Sequence, residues 1–492
     1  MDSLAKRLLI FAIFAIFTSP LIAQKTTLRS DSNQFWEAAR AVAFGSEITI
    51  EEVSLDPFQP TQTLNLKRFA VFTSDAKILV HTGDGTEELL PPKNAYFQGE
   101  LEGNSNSRVV LSVLENGTTR GIISDRGRFW ILGGGRDSGG SDQGFAAAEV
   151  DAADLEFLAR PMQCESDDLS GERIAIGGPE QIVTPPTNVA GSSYNAATYN
   201  ARIAIESDHE FYLKFGNATD ASNYAADLIA FASTVYSADI DTALTIGQIS
   251  LWSTSSDPWS QTSTTCGLFE FGRYWNNNNT AIDRTIAHFL SGKNNGGGVA
   301  WVGVLCDQAF SYNHQGACPS LTPQTSNYGG DYGYSGDLDG NFNINNPSVV
   351  WDVVVTSHEM GHNFNSPHTH CYSNVGGNAN PIDNCYSGQC GQTGCYCGST
   401  GLPCGTPGQG CGTIMSYCHL LSGGISNISM SFGVGHPHGT APERVATRMS
   451  AAVVSAHNSQ PNCLPLNQSL GELYEQWPSM VSVLDMVAFI SP

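Results

Sequence analysis

The chain has 492 residues, 41% of them apolar, which is enough for two or three packed cores and excludes a disordered protein. A formal net charge of −24 repels phosphate backbones and anionic lipid, which argues against nucleic-acid binding and against a membrane-surface role. The same charge suits solubility outside the cell and the binding of hard cations such as calcium.

The first residues have the form of an export signal. Lys6 and Arg7 precede an unbroken apolar run from Leu8 to Phe17, too short to span a bilayer, and Pro20 and Ala23 follow. Residues 1–23 are therefore expected to be a signal peptide, and the remainder a secreted, extracellular monomer with no membrane span. Cysteine usage agrees with export. Of 13 cysteines, Cys164 stands apart, and the other twelve lie from Cys266 onward, enough for six disulfides in an oxidising compartment.

Residues 24–170 read as a β-rich domain. Arg108–Leu114 and Gly121–Ser124 are strand-like and flank an Asn116-Gly117 turn; Phe129–Leu132 is a further strand, stopped by three glycines. Residues 171–196, rich in Gly, Pro, Ser and Thr and carrying Pro185-Pro186, form a linker. A second domain spans 197–463. Ala201–Ile205 predicts a buried strand, the spacing of Tyr224, Leu228, Phe231 and Val235 predicts a helix over 221–237, and Val299–Leu305 predicts another strand. Strands alternating with helices give an α/β (α+β) fold class. Residues 372–412 have no periodicity and read as a cross-linked loop region; 464–492 are a tail.

The chemistry concentrates in the segment from Val353 to His362. His358 and His362 are four apart, so on a helix they share one face and both imidazoles can reach one tetrahedral cation, zinc being the expected one. Glu359 flanks that face, placed to take a proton from a water beside the metal. His368 follows six residues after His362, which requires the helix to stop and the chain to turn. Asn365 tolerates the left-handed conformation such a turn needs, and Pro367 forbids continuation. Ile414-Met415-Ser416-Tyr417 lies downstream, with the Tyr417 hydroxyl a candidate for the neighbourhood of the fourth coordination position. Asp383 is a rival ligand that would leave His368 and Met415 unexplained, and His370 is expected on the surface or donating a hydrogen bond behind the ligands.

His358-Glu-Met-Gly-His-Asn-Phe-Asn-Ser-Pro-His368, together with Cys411-Gly-Thr-Ile-Met-Ser-Tyr-Cys418, resembles the reprolysin (adamalysin, ADAM-like) branch of the metzincin metalloproteases, in the flavour of bacterial secreted members. Gly296–Cys306 is similar to the family's central strand, and Tyr96-Phe-Gln-Gly-Glu-Leu-Glu-Gly with Val109–Leu114 and Arg120–Ile123 is similar to its propeptide. The resemblance implies a metzincin catalytic domain with a twisted mixed sheet, an active-site helix and a methionine turn, preceded by a β-rich propeptide. It implies one catalytic zinc on His358, His362 and His368, Glu359 as base, Met415 as a structural floor, and endopeptidase activity on protein or peptide substrates.

Three positions depart from the family: Asn365 stands where glycine is usual, Thr369 where aspartate is usual, and Tyr417 is more typical of the astacin and serralysin branches. Arg202 occupies the position of the family's calcium-ligating glutamate, and Asp337–Asn343 reads as a turn, so calcium stays open as a second ion. Cys164, just before the linker, is expected to act as a cysteine switch, its thiolate filling the position that the catalytic water needs until the chain is cut between Cys164 and about Tyr199. Residues His419–Gly424 are expected near the specificity pocket. The competing reading is a catalytically silent, disulfide-rich secreted binding protein; another metallohydrolase on the same helix is a third.

Overall fold

The computed structural model describes residues 26–136, 139–158 and 197–467. The signal segment, Cys164, the linker and residues 468–492 lie outside the described residues.

The N-terminal half is strand-rich, as its short apolar runs and turn signals predict. In chain order it comprises β1 (Thr26–Arg29), the short helix α1 (Phe35–Arg40), β2 (Glu47–Val53), β3 (Gln62–Phe69), β4 (Phe72–Thr82), β5 (Gly85–Leu89), β6 (Ala95–Leu101), β7 (Asn104–Val113), β8 (Thr118–Asp125), β9 (Arg128–Arg136), β10 (Asp142–Glu149) and α2 (Ala152–Phe157). Eight of these strands form one sheet in the order β1-β2-β3-β6-β7-β8-β9-β10, antiparallel except for the β1–β2 pair. The continuous apolar run in β7 has a physical reason. Val109, Leu111 and Val113 face a core shared with Phe35, Phe97 and Leu132, while Val110, on the other face, joins Tyr96, Ile122 and Ile131 against the second half of the molecule. Both faces are covered, so neither is polar. β9 does not stop at its glycines but runs through them to Arg136, because β10 pairs alongside; a side chain at Gly134 would overlap the Gly144 carbonyl.

The C-terminal half contributes β11 (Tyr199–Ser207), α3 (His209–Phe215), α4 (Ala218–Ile240), β12 (Thr242–Trp252), α5 (Thr264–Asn278), β13 (Ile286–Leu290), β14 (Gly298–Ala300), β15 (Phe310–Asn313), β16 (Thr325–Gly329), β17 (Tyr332–Ser335), α6 (Val349–Asn363) and α7 (Arg444–Ser459). The expected helix over 221–237 is α4, longer at both ends because Asn217 caps it through Asp220 N and Asp241 closes it in the left-handed conformation. The expected strand over 299–305 is only three residues long. Beyond Ala300 the chain leaves the sheet, and Gly303 N and Val304 N donate to the His362 and Asn363 carbonyls at the end of α6 instead.

The second sheet takes strands from both halves of the chain. Its order is β14-β17-β13-β11-β12-β4-β5, mixed in direction, with β4 parallel to β12 and β5 closing the edge. The long helix α4, buried almost throughout, packs on β12 on one side and on β6 and β7 on the other. Ion pairs buried between the halves reinforce that junction. Arg108 meets Asp239 at 2.7 Å, and Asp227 accepts from Arg120 Nε at 2.7 Å and Ser112 Oγ at 2.6 Å. The linker thus separates two stretches of sequence but not two sheets.

All twelve cysteines from Cys266 onward are paired: Cys266–Cys318, Cys306–Cys463, Cys371–Cys395, Cys385–Cys418, Cys390–Cys397 and Cys404–Cys411. Four of these bridges lie within 371–418, where the sequence supplies no periodic apolar face to pack. Among the described residues no helix is long and apolar enough to cross a membrane.

Candidate metal centre

Helix α6 carries His358, Glu359 and His362, each fully buried. It ends at Asn363, and Asn365 turns the chain at φ 77°, the left-handed conformation that its residue type tolerates. Arg448 of α7 fastens this turn, its Nε donating to the Asn365 carbonyl at 2.5 Å and its Nη2 to Oδ1 at 3.1 Å. The return brings His368 back to the helix, its ring centroid 4.7 Å from that of His362 and 5.3 Å from that of His358.

The three imidazoles present their Nε2 atoms to one another, His362 Nε2 lying 3.1 Å from that of His358 and 3.2 Å from that of His368. Their outer nitrogens fix the tautomers. His358 Nδ1 donates to the Ile414 carbonyl at 2.7 Å and His362 Nδ1 to the Ser366 carbonyl at 2.7 Å; carbonyls only accept, so Nδ1 carries the proton in both. The converging Nε2 atoms are then lone pairs, which repel unless a cation sits among them. Two nitrogens about 2.0–2.1 Å from a tetrahedral zinc would stand about 3.3 Å apart, close to the spacing seen, so this donor set fits zinc. Burial holds His358 well below the usual histidine range, helped by the neighbouring His362 and His368, so it stays neutral and able to bind metal.

The methionine turn lies under the site. Met415 is fully buried, and Gly361 of α6 makes room for it, since a side chain there would overlap its sulfur. Thr369 N donates to the Met415 carbonyl at 3.0 Å, tying the turn to the third histidine. The Thr369 hydroxyl donates to Asp383, whose other oxygen accepts from Cys385 N at 3.1 Å. Asp383 is thus held behind the third histidine. It does fall near Cys385 and Cys418, but those two sulfurs are joined to each other.

Tyr417 is buried, with its ring 4.3 Å from that of His368. His370 is not on the surface: its ring stacks on His368 at 5.4 Å and 9°, and its Nε2 meets Gln389 Oε1. His419 is also buried, edge-on to Tyr417 at 5.7 Å. Cys164 lies outside the described residues. Sequence reasoning missed Gln389, Arg448 and Gly298. A side chain at Gly298 of β14 would overlap the Glu359 carboxyl, so this glycine clears the space that the carboxyl occupies. The pattern of three glycines marked that segment; nothing in the aperiodic loop marked Gln389.

Calcium has no support at the positions that the sequence offered. Arg202 grips Asp75 with both ends at 2.8 and 2.9 Å. The first strand of this half does hold a glutamate, Glu206, but it is buried and accepts from the indoles of Trp252 and Trp275 at 2.9 and 3.0 Å. Asp337 accepts from Asn295 N at 2.7 Å, and Asp339 faces Lys214 at 3.4 Å.

A family model of metallo-peptidase family M12, of reprolysin type, matches residues 197–429. Residues 197–429 are a reprolysin-type metzincin of that family. The match takes in α6, the turn at Asn365, His368 and the methionine turn of this metallopeptidase, and its mixed α/β architecture fits the family's catalytic domain. Family M12 peptidases are zinc-dependent. No curated protein matches the chain.

Proposed function

We propose that this metalloprotease is a secreted zinc endopeptidase made in a latent form, with His358, His362 and His368 as the metal ligands and Glu359 as the general base. The observation that carries the reading is the convergence of three Nε2 lone pairs whose Nδ1 protons are already committed, beside a buried carboxyl one residue along the same helix. Zinc, when bound, supplies Lewis-acid polarisation and lowers the pKa of water. The chain's own residues do the rest. The Glu359 carboxyl takes a proton from the attacking water and delivers it to the leaving amine. Met415 supports the ligands from below, and the Tyr417 hydroxyl is assigned to the oxyanion. Protein and peptide chains are the substrates.

Latency has its own support. The last N-terminal element, α2, docks against the loop after the methionine turn, where Glu156 accepts from Gly423 N at 3.3 Å and Ser422 Oγ at 3.4 Å. The segment bearing Cys164 begins from that anchor, which suits a thiolate switch in a propeptide spanning 24–170, with activation by a cut in 171–196. Six disulfides and the apolar leader of residues 1–23 support export. No observation favours a silent binding protein.

The test is hydrolysis of casein by the processed chain, with and without a zinc chelator, beside Glu359→Gln. The reading expects chelator-sensitive cleavage that the variant loses by roughly 100-fold or more while it retains the metal. A zinc-loaded, processed wild type that cleaves nothing would overturn it. For latency, a Cys164→Ala precursor is expected to cleave short peptides before any processing; an inert precursor would reject the switch.

A further inference from the structure

The three histidines do not share one kind of support. His358 and His362 direct their Nδ1 protons at backbone carbonyls, those of Ile414 and Ser366, which belong to the methionine turn and to the turn after α6. The Nδ1 of His368 faces a side chain, the amide oxygen of Gln389, at 3.3 Å. That oxygen also meets the Nε2 of His370, whose ring lies parallel to His368. An amide oxygen has two lone pairs and no proton, so it accepts from two imidazoles at once and leaves the Nε2 of His368 as a lone pair. Gln389 is 9% exposed.

Gln389 itself sits in the aperiodic cysteine-rich loop. Its neighbour Cys390 is bridged to Cys397, and Cys395, bridged to Cys371, closes the loop onto the segment that follows His368. Gln392 N donates to the Gln389 carbonyl at 3.1 Å, and Tyr396 N donates to the His370 carbonyl at 2.8 Å. A loop with no core of its own is thereby held in register with the third histidine.

We propose that Gln389 is a positioning residue for metal binding: its side-chain oxygen fixes the tautomer and orientation of His368, and the Cys371–Cys395 and Cys390–Cys397 bridges fix Gln389. The inference rests on the reading of the three histidines as ligands. It assigns a function to the cysteine-rich loop, which ties retention of the metal to the oxidised state of that loop.

The experiment measures the zinc dissociation constant of the full-length chain by competition with a chromophoric chelator, and the d–d absorption of the cobalt-substituted protein. Gln389→Leu removes the acceptor and keeps the bulk. It is expected to weaken zinc by roughly 10–100-fold and to change the cobalt spectrum, while the metal-free protein still unfolds cooperatively, at a midpoint lowered by the two imidazole N–H groups left without an acceptor. Gln389→Glu restores an acceptor and is expected to bind at least as tightly as wild type. Should Gln389→Leu not fold, Gln389→Asn, too short to reach both rings, takes its place with the same expectation. Zinc affinity within twofold of wild type in the acceptor-less variant, or no recovery in Gln389→Glu, overturns the proposal. His358→Ala separates the two levels. If it too binds zinc like wild type, the ligand reading itself fails; if it loses zinc while Gln389→Leu does not, only the positioning of His368 by Gln389 fails.

Discussion

Gly361 and Met415 touch through the absence of a side chain: the helix backbone at 361 rests on the methionine sulfur, and a Cβ would overlap it, with Phe432 closing the other side. Gly361→Ala gains helix propensity of up to about 1 kcal/mol, but it must displace a fully buried methionine. Overpacking of this kind costs about 1–3 kcal/mol, so the net effect is loss of stability. Urea unfolding of the variant is expected to show a lower midpoint with an unchanged slope, and an equal or higher midpoint would contradict the packing described.

Gly298 does the same for chemistry. Its missing side chain leaves the space that the Glu359 carboxyl fills, and Glu359 is too deeply buried to swing aside. Gly298→Ala is expected to lower kcat about 100-fold by misplacing the carboxyl proposed as the base, with zinc content unchanged. Wild-type kcat in this variant would mean that Glu359 is not held where the reaction needs it.

Glu206 gives a pH dependence with a definite sign. Burial pushes its carboxyl up to about 8, against the two indole donors that favour the anion, whereas in the unfolded chain it titrates near 4.5. Between those values the folded chain holds a proton that the unfolded chain has released. This contribution is therefore full below about 4.5 and is lost as pH rises through about 8. Glu206→Gln, neutral throughout, is expected to flatten the fall in stability between about pH 5 and about pH 8, a difference of a few kcal/mol. Parallel curves for variant and wild type would show that Glu206 ionises normally in the fold.

Arg108 and Asp239 form a pair that spans the two halves of the chain and is almost wholly buried. Asp239 also accepts from Ser431 Oγ at 2.7 Å and Phe432 N at 2.6 Å, next to the residue whose carbonyl holds Ile414 N. Arg108→Met strands a buried carboxylate and is expected to cost about 3–5 kcal/mol in global unfolding, of which Arg108→Met/Asp239→Asn recovers a substantial part. If the double variant is as unstable as the sum of the singles, the two groups do not interact.

The helix bearing His358 and His362, and the return of His368 to it, were legible because their constraints are local. Four-residue spacing fixes a helix face, and a residue tolerant of positive φ followed by proline fixes where the helix must end. The strands of β7 to β9 were legible from short apolar runs and from one Asn-Gly turn. What stayed hidden depends on partners far away in sequence. The length of β14 is set by the end of α6, 62 residues on from Trp301, which competes for the same backbone groups. β9 continues through its glycines because β10 covers them. The placement of β4 and β5 at the edge of the second sheet has no local signature, since a strand carries no mark of which sheet it will join. Gln389 is likewise one polar residue in a loop without period, singled out by what folds onto it.

The position of β4 has a consequence for any cut between residues 158 and 197. Breaking one peptide bond there leaves the ladder between β4 and β12 and the buried Arg108–Asp239 pair intact. The immediate product is a two-chain molecule rather than a freed enzyme and a discarded fragment. The N-terminal piece can depart only by unzipping an edge of the sheet on which the catalytic half is built, so its departure is governed by an unfolding rate and not by the cut.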